Sequence, residues 1–447
     1  MLRAARFWPS LPCNNSVDFA AEALAPLLAQ LVNYERTRPD RRLWDLATMR
    51  RHLTRLRSPR PAVQVGGSKG KGTTCAFLAG FVQAAGLHAG SYSSPHVTTL
   101  LERIQIDGVD ITVAQLEPIL RRLLNEPVGA DERQLTFFEA MTLAAAVWLA
   151  ERRVDLAIWE VGLGGRHDAT SALPVDAAIV TTIELEHTDV LGDTLAQIAG
   201  EKAPVIRAGG MGFTGATGVA RDVIAAHARA CGARLAVLDE QFGMRDVILG
   251  ADGARGRLWL PDGRELPFHL PGAAAFELPA LALAAAAFVQ VLPNAALRLD
   301  PAPRPALPCR FEVRREDDGE MLVLDGAHTE QSLRAVAAEL QRRWPGRRAT
   351  VLFGCAFGKR WRPALSALLP VADSFVVTEL SGTTSEDPAV IAAFLAQAGA
   401  QSEVARDAVS GLQRLRSRPG PRLVVGSFYL AGQVRQLILA SDRSRNR

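Results

Sequence analysis

Residues 61–86 read PAVQVGGSKGKGTTCAFLAGFVQAAG. The apolar run Ala62–Val65 has the pattern of a buried strand, a glycine-rich turn follows from Gly66 to Thr74, and the Ala- and Phe-rich remainder has the pattern of a helix. In such a turn the glycines let backbone N–H groups face phosphate oxygens, the helix N-terminus adds partial positive charge, and Lys71 supplies a full one. The pattern GxxxxGK[ST] does not fit, because Val65 stands at its first glycine and Gly72 separates Lys71 from Thr73. The shorter GxxGKG[ST] does fit. Gly67, Ser68, Lys69, Gly70, Lys71, Gly72 and Thr73 are therefore expected to hold nucleotide phosphates, with Lys71 as the catalytic cation.

The same alternation continues outward from this turn. HAGSYS, VDLAIWEVG and DAAIVTTIEL read as further interior strands between helical stretches, and MLVLDGAH, ATVLFGCAF, SFVVTEL and RLVVGSF repeat the pattern nearer the C-terminus. The expected fold class is α/β: a P-loop-containing N-terminal domain with a parallel central sheet, plus a smaller Rossmann-like α/β C-terminal domain. LDPAPRPALP, at 299–308, places proline too densely for a helix or a central strand and reads as a stiff linker. The expected division is residues 1–298, with a helical lead-in at about 18–58, then the linker 299–308, then residues 309–447.

Composition narrows the class of protein. At 447 residues the chain is too long for one core, and 48% hydrophobic with 22% charged residues is a globular rather than a disordered composition. Lys and Arg exceed Asp and Glu by 51 to 47, too small a surplus to argue for nucleic acid or a membrane surface. Five cysteines (Cys13, Cys75, Cys231, Cys309 and Cys355) without a CxxC pair argue against a disulfide framework or a zinc site and fit a reducing cytoplasm. The apolar stretches 140–150 and 278–292 are shorter than the roughly 18 to 20 residues of a membrane span and read as buried helices. MLRAARFWPSLPCNN has no continuous apolar core, so a cleaved signal peptide is not expected.

Phosphoryl transfer needs a divalent cation with hard oxygen ligands. Glu160 ends the apolar run Leu156–Trp159 at the carboxyl edge of an expected parallel strand, where open α/β sheets bind their ligands, so it is a candidate Mg²⁺ ligand. Thr73 is a second candidate, from the P-loop.

An ordered set of motifs resembles the folylpolyglutamate synthase/dihydrofolate synthase family of the Mur ligase superfamily: GSKGKGT (67–73), YSSPH with ERIQIDG (92–108), TFFE (136–139), EVGLGGRHDAT (160–170), EHTDVLGDTLAQIAGEKA (186–203), CRFE (309–312), LDGAH (324–328) and GSFYLAGQVR (426–435). The resemblance implies an ATP- and Mg²⁺-dependent ligase that activates a carboxylate as an acyl phosphate, which glutamate then attacks through its amine. It further implies Ser94 and His187 as metal ligands and Lys202 as a carbamylated catalytic lysine. Arg310 and Asp325 would be nucleotide contacts from the second domain, His328 a group that orients the transferred phosphate, and Phe137, Phe138 and Asp168 contacts to a pterin ring. A cytoplasmic monomer acting on small molecules, a folate or pteroate acceptor and L-glutamate, is expected.

The chain also departs from the family. Ala274, Ala275 and Leu278, followed by Pro279, stand where a His-Gln pair and an Asn face adenine. Thr99, Leu100 and Leu101 replace an Arg, Phe, Asn acceptor loop, and Thr329-Glu330 replaces Asn-Pro. These changes motivate two alternatives: the same chemistry on a non-folate acyl acceptor, or a non-catalytic nucleotide-binding paralogue.

Overall fold

The computed structural model describes residues 19–33, 45–126, 133–250, 252–303 and 307–445. The stretch considered as a signal peptide, Cys13, part of the helical lead-in and residues 304–306 of the proline-rich stretch lie outside the described residues.

Eight strands form the first sheet: β1 (Ala62–Gly66), β2 (Ala89–Tyr92), β3 (Ile104–Ile106), β4 (Val109–Asp110), β5 (Leu156–Glu160), β6 (Ala177–Val180), β7 (Met211–Thr214) and β8 (Arg234–Val237). Their order is β4-β3-β2-β5-β1-β6-β7-β8, parallel from β2 to β8, with β3 and β4 antiparallel at one edge. The central strands are buried on both faces, as their near-continuous apolar runs require. Successive side chains alternate between faces. Val63, Val65, Leu156 and Ile158 join Phe77, Phe81 and the helix Leu278–Val291 in one core, while Ala62, Ala157 and Trp159 join the helix Phe137–Glu151 in another. Phe81 meets Phe288 edge-on with ring centroids 5.9 Å apart, which ties the helix after the glycine turn to its neighbour. Both stretches expected as buried apolar helices are such helices, and among the described residues no helix is long and apolar enough to cross a membrane.

A three-stranded antiparallel sheet follows, β9 (Gly243–Gly250), β10 (Gly253–Trp259) and β11 (Glu265–Pro271), in the order β11-β10-β9. The chain then runs beside β11, with His269 N–H donating to Leu299 O and Ala302 N–H to His269 O; Leu299 and Ala302 are buried in the first core.

The last sheet comprises β12 (Glu312–Arg315), β13 (Met321–Leu324), β14 (Ala349–Phe353), β15 (Ala372–Val377), β16 (Gln401–Val404) and β17 (Arg422–Val425), in the order β12-β13-β17-β14-β15-β16. All its pairings are parallel except that of β12 with β13. The protein is thus a two-domain α/β structure. A polar clasp joins the domains. Glu339, buried on the helix Glu330–Arg343, is gripped by Arg342 and Arg343 and accepts the Ala275 amide. The same arginines donate to the carbonyls of Gly250, Gly272 and Ala273. The four described cysteines are free.

Candidate active site

A cavity of about 900 Å³ opens at the carboxyl ends of β1, β5 and β6, beneath the second domain. Register places its acid: Glu160 pairs with Val65, so its carboxylate stands at the base of the glycine turn. It is 2% exposed, and its Oε2 accepts the Ser94 amide at 3.2 Å. Burial raises the Glu160 pKa, against the pull of Arg310 and Lys71.

The glycine turn divides into two parts. Ser68 and Lys69 face inward: Ser68 N–H donates to Thr182 O, Lys69 N–H to Thr182 Oγ1, and the Ser68 hydroxyl is held by the Glu184 main chain. Gly67 has φ +131°, and a Cβ there would strike Thr181, so glycine is needed for this close approach. The helix Lys71–Ala84 starts at Gly70, and its first main-chain bond is Thr74 N–H to Gly70 O. The amides from Gly70 to Thr73 are the open donors at the helix N-terminus. The expected phosphate set Gly67–Thr73 is therefore corrected for Ser68, whose amide and hydroxyl are both committed to the neighbouring loop. Lys71 Nζ folds back onto Gly67 O and Ser68 O, at 3.0 and 3.3 Å.

Three lysines surround one acid that the sequence reading passed over. Glu186 lies 3.2 Å from Lys202 and 3.6 Å from Lys69. Burial would raise its pKa, but Lys71, Lys202 and Lys69 outweigh burial and hold it at about 2. Its signal was its place as the first residue of EHTD, immediately before His187. Lys202 is 2% exposed and donates to Gly67 O as well as to Glu186; burial brings its pKa down to about 8. His187, at φ 48°, lines the cavity, and burial depresses it to about 4, so its imidazole is neutral at pH 7.

Ser94, Glu160, His187 and Thr73 all border the cavity. Their hydroxyl, carboxylate and neutral imidazole are a donor set that suits a hard divalent cation completed by phosphate oxygens. Among the described residues no three His, Cys, Asp or Glu side chains converge on one point as a protein-only metal cage would require.

The second domain contributes Arg310. Its neighbours Cys309 and Phe311 have φ of 55° and 50°, a left-handed conformation costly for residues with a Cβ. Asp325 holds this kink: Oδ2 accepts Phe311 N–H at 2.6 Å and Oδ1 accepts Ala327 N–H at 2.7 Å. Burial nevertheless raises the Asp325 pKa to about 6. Asp325 thus holds the loop and also borders the cavity, each oxygen accepting one main-chain bond and keeping a further lone pair. The Arg310 guanidinium lies 5.1 Å from the Phe428 ring and against Gly72. His328 Nδ1 lies 2.9 Å from Gly326 O. A carbonyl only accepts, so Nδ1 carries the proton and Nε2 is left as an acceptor. Burial lowers the pKa to about 3, so the ring is neutral, and His328 borders the cavity.

At the acceptor end, Phe138 borders the cavity, whereas Phe137 is packed in the core beneath the Arg103 guanidinium, 5.2 Å from its ring centroid, and is removed from the set. Asp168 is saturated by Gly162 N–H, Leu163 N–H, Thr170 N–H and the Thr170 hydroxyl, which leaves it a structural anchor rather than a ring contact. Thr99, Leu100 and Leu101 build a 3₁₀ turn capped by Thr99 and Glu102 that does not border the cavity.

A P-loop sheet domain closed by a second α/β domain that sends an arginine to the loop defines a Mur ligase-type protein. Residues 309–426 match the family described as Mur ligase, glutamate ligase domain. A relative from Haloferax volcanii named as a probable bifunctional folylpolyglutamate synthase/dihydropteroate synthase is 34% identical over 406 residues, covering 87% of this chain; the chain spans about half of that relative, 48%. The dihydrofolate synthase/folylpolyglutamate synthase of Escherichia coli is 29% identical over 425 residues, covering 94% of this chain and 96% of the relative. The crystal structure of the bifunctional enzyme of that type from Yersinia pestis, complexed with AMPPNP and a Mn ion, superposes with a TM-score of 0.77 at 27% identity, covering 94% of this chain and 98% of that one. The chain belongs to the folylpolyglutamate synthase/dihydrofolate synthase family of the Mur ligase superfamily.

Proposed function

We propose that this protein is an ATP- and Mg²⁺-dependent ligase that adds L-glutamate to the carboxylate of a folate or pteroate, residues 309–447 closing over the nucleotide bound by residues 1–298. One observation carries this reading: the open amides of Gly70–Thr73, Lys71, Glu160 and Arg310 border a single cavity drawn from both domains. The amides and Lys71 bind the transferred phosphoryl group, and Arg310 neutralises it from the opposite side. The acceptor carboxylate attacks phosphorus, giving an acyl phosphate and ADP. The glutamate amine then attacks the acyl carbon, the C–O bond to phosphate breaks, and the departing phosphate takes the proton the amine loses. Nε2 of His328 accepts a hydrogen bond from the amine and orients its lone pair. Ser94, Thr73, Glu160 and His187 would hold Mg²⁺, which supplies charge neutralisation between phosphate oxygens. Lys202 is assigned as the site of carbamylation, and Phe138 as a wall of the pterin pocket.

The test is ADP release with a panel of acids and L-glutamate, the products identified by mass spectrometry. Release with dihydropteroate or a reduced folate, with a matching glutamate adduct, supports the reading. Release with other acids alone points to a different acceptor, and no release with any acid points to the non-catalytic paralogue.

A further inference from the structure

The cavity extends away from the glycine turn into a slot between the two domains. Its floor is Phe276, Pro279, Ala280 and Leu283, and its roof carries Ala335 and Val336. The slot has a fixed height, because the clasp residue Glu339 holds Ala275, next to Phe276, from the same helix as the roof. Phe276 is 38% exposed, with its ring edge-on to Phe311 at 5.8 Å, so one face is open for stacking. The floor offers no polar side chain. Ala274 and Ala275 have none, Leu278 is buried in the core, and Glu277 is buried with Oε2 on the Ala274 amide.

Polar recognition must therefore come from the roof. Ser332 is spent on Thr329, with its hydroxyl 2.8 Å from Thr329 Oγ1 and 3.0 Å from Thr329 O. Gln331 borders the same cavity, is exposed and is not tied to a neighbour among the described residues, so its amide can turn. An amide presents a carbonyl acceptor and an NH₂ donor, and rotation exchanges them. Adenine offers an N6 donor beside an acceptor, and guanine an O6 acceptor beside a donor. One rotatable amide meets both edges.

We propose that this slot accepts adenine and guanine nucleotides alike, with Phe276 as the stacking wall and Gln331 as the group that meets either base edge. The inference rests on the nucleotide-binding reading above and concerns base specificity.

The experiment is calorimetric titration of the full chain with Mg·ADP and Mg·GDP, which needs no turnover. The wild type should bind the two within about tenfold of each other, as a site lacking a fixed polar test does. Gln331→Glu presents acceptors only, which guanine meets with N1–H and N2–H₂ but adenine with N6–H₂ alone, and should shift the preference toward GDP by about tenfold or more. Phe276→Ala should weaken both nucleotides by about tenfold and leave their ratio unchanged, in line with the stacking contribution of one aromatic wall. Both side chains are exposed, so both variants should fold. A wild-type preference for ADP above about a hundredfold, or an unchanged ratio in Gln331→Glu, overturns the proposal. Binding of neither nucleotide overturns the nucleotide reading itself, and this inference with it.

Discussion

Arg310 of the second domain lies directly against Gly72 in the first turn of the P-loop helix, so closely that a Cβ on Gly72 would collide with the guanidinium. This contact explains why glycine stands between Lys71 and Thr73, where the commoner phosphate-loop pattern has none. The position has no left-handed φ, so space rather than backbone freedom requires the glycine. Gly72→Ala should not unfold the helix, since alanine is the better helix former by about 1 kcal/mol. It should displace Arg310 and lower kcat by about tenfold or more, the effect expected on losing one charge-stabilising group. Steady-state ADP release decides the matter through a double-mutant cycle: Gly72→Ala combined with Arg310→Ala should be no slower than Arg310→Ala alone. Effects that multiply would show that the two residues act separately.

Lys71 now rests on two carbonyls of its own loop, bonds that water can replace because the side chain is only partly buried. Its contribution belongs to the transition state. Lys71→Ala should lower turnover by about two orders of magnitude or more, while the melting temperature moves little. A wild-type rate in that variant would remove the P-loop cation from the mechanism, and a large melting shift would assign it to the fold.

Buried strands were legible because apolar runs such as LAIWE and AAIV sit between helical stretches, and the phosphate turn because its glycines fall between a strand and a helix. The antiparallel strands β9–β11 were not legible. GMRDVILG is largely exposed and carries charges of both signs, so it lacks the apolar run that marks a central strand. Nor does local sequence say which polar atoms are already spent. Asp168 stands in a loop where ligands bind, yet its acceptor sites are taken by amides and a hydroxyl brought in by the fold. Phe137 and Phe138 are adjacent, and helix phase alone sends one to the core and the other to the cavity. The Glu186 cluster joins lysines from positions 69 and 202, a meeting created by the order of β1 and β6 in the sheet.

Glu160 is a buried acid whose ionised form is disfavoured by desolvation until a cation is near. Glu160→Gln keeps the shape and removes the charge. The variant should therefore be about as stable as the wild type without metal, and should need about tenfold or more Mg²⁺ for half-maximal ADP release. A Mg²⁺ titration that overlays the wild type would exclude Glu160 from the metal site.

Lys202 gives a pH signature whose sign follows from its burial. In the unfolded chain a lysine titrates near about 10.4, and in the folded protein burial lowers Lys202 to about 8. Between those values the unfolded chain binds more protons, so this residue makes stability rise with pH across that window and contributes a constant cost below it. Lys202→Met cannot titrate. The unfolding free energy of the wild type minus that of Lys202→Met, from urea titrations, should be flat below about pH 7 and climb from about pH 8 to 10. A difference that stays flat to pH 10 would show that Glu186 keeps Lys202 protonated as a plain counter-ion. The same easy loss of the proton gives a free amine near neutrality, which carbamylation requires. With ¹³C-bicarbonate the wild type should show a carbamate carbon resonance that Lys202→Arg lacks, and formation of that group must release the lysine from Glu186, 3.2 Å away. A spectrum in which the two proteins are identical would leave Lys202 as an ammonium and remove the carbamate from the site.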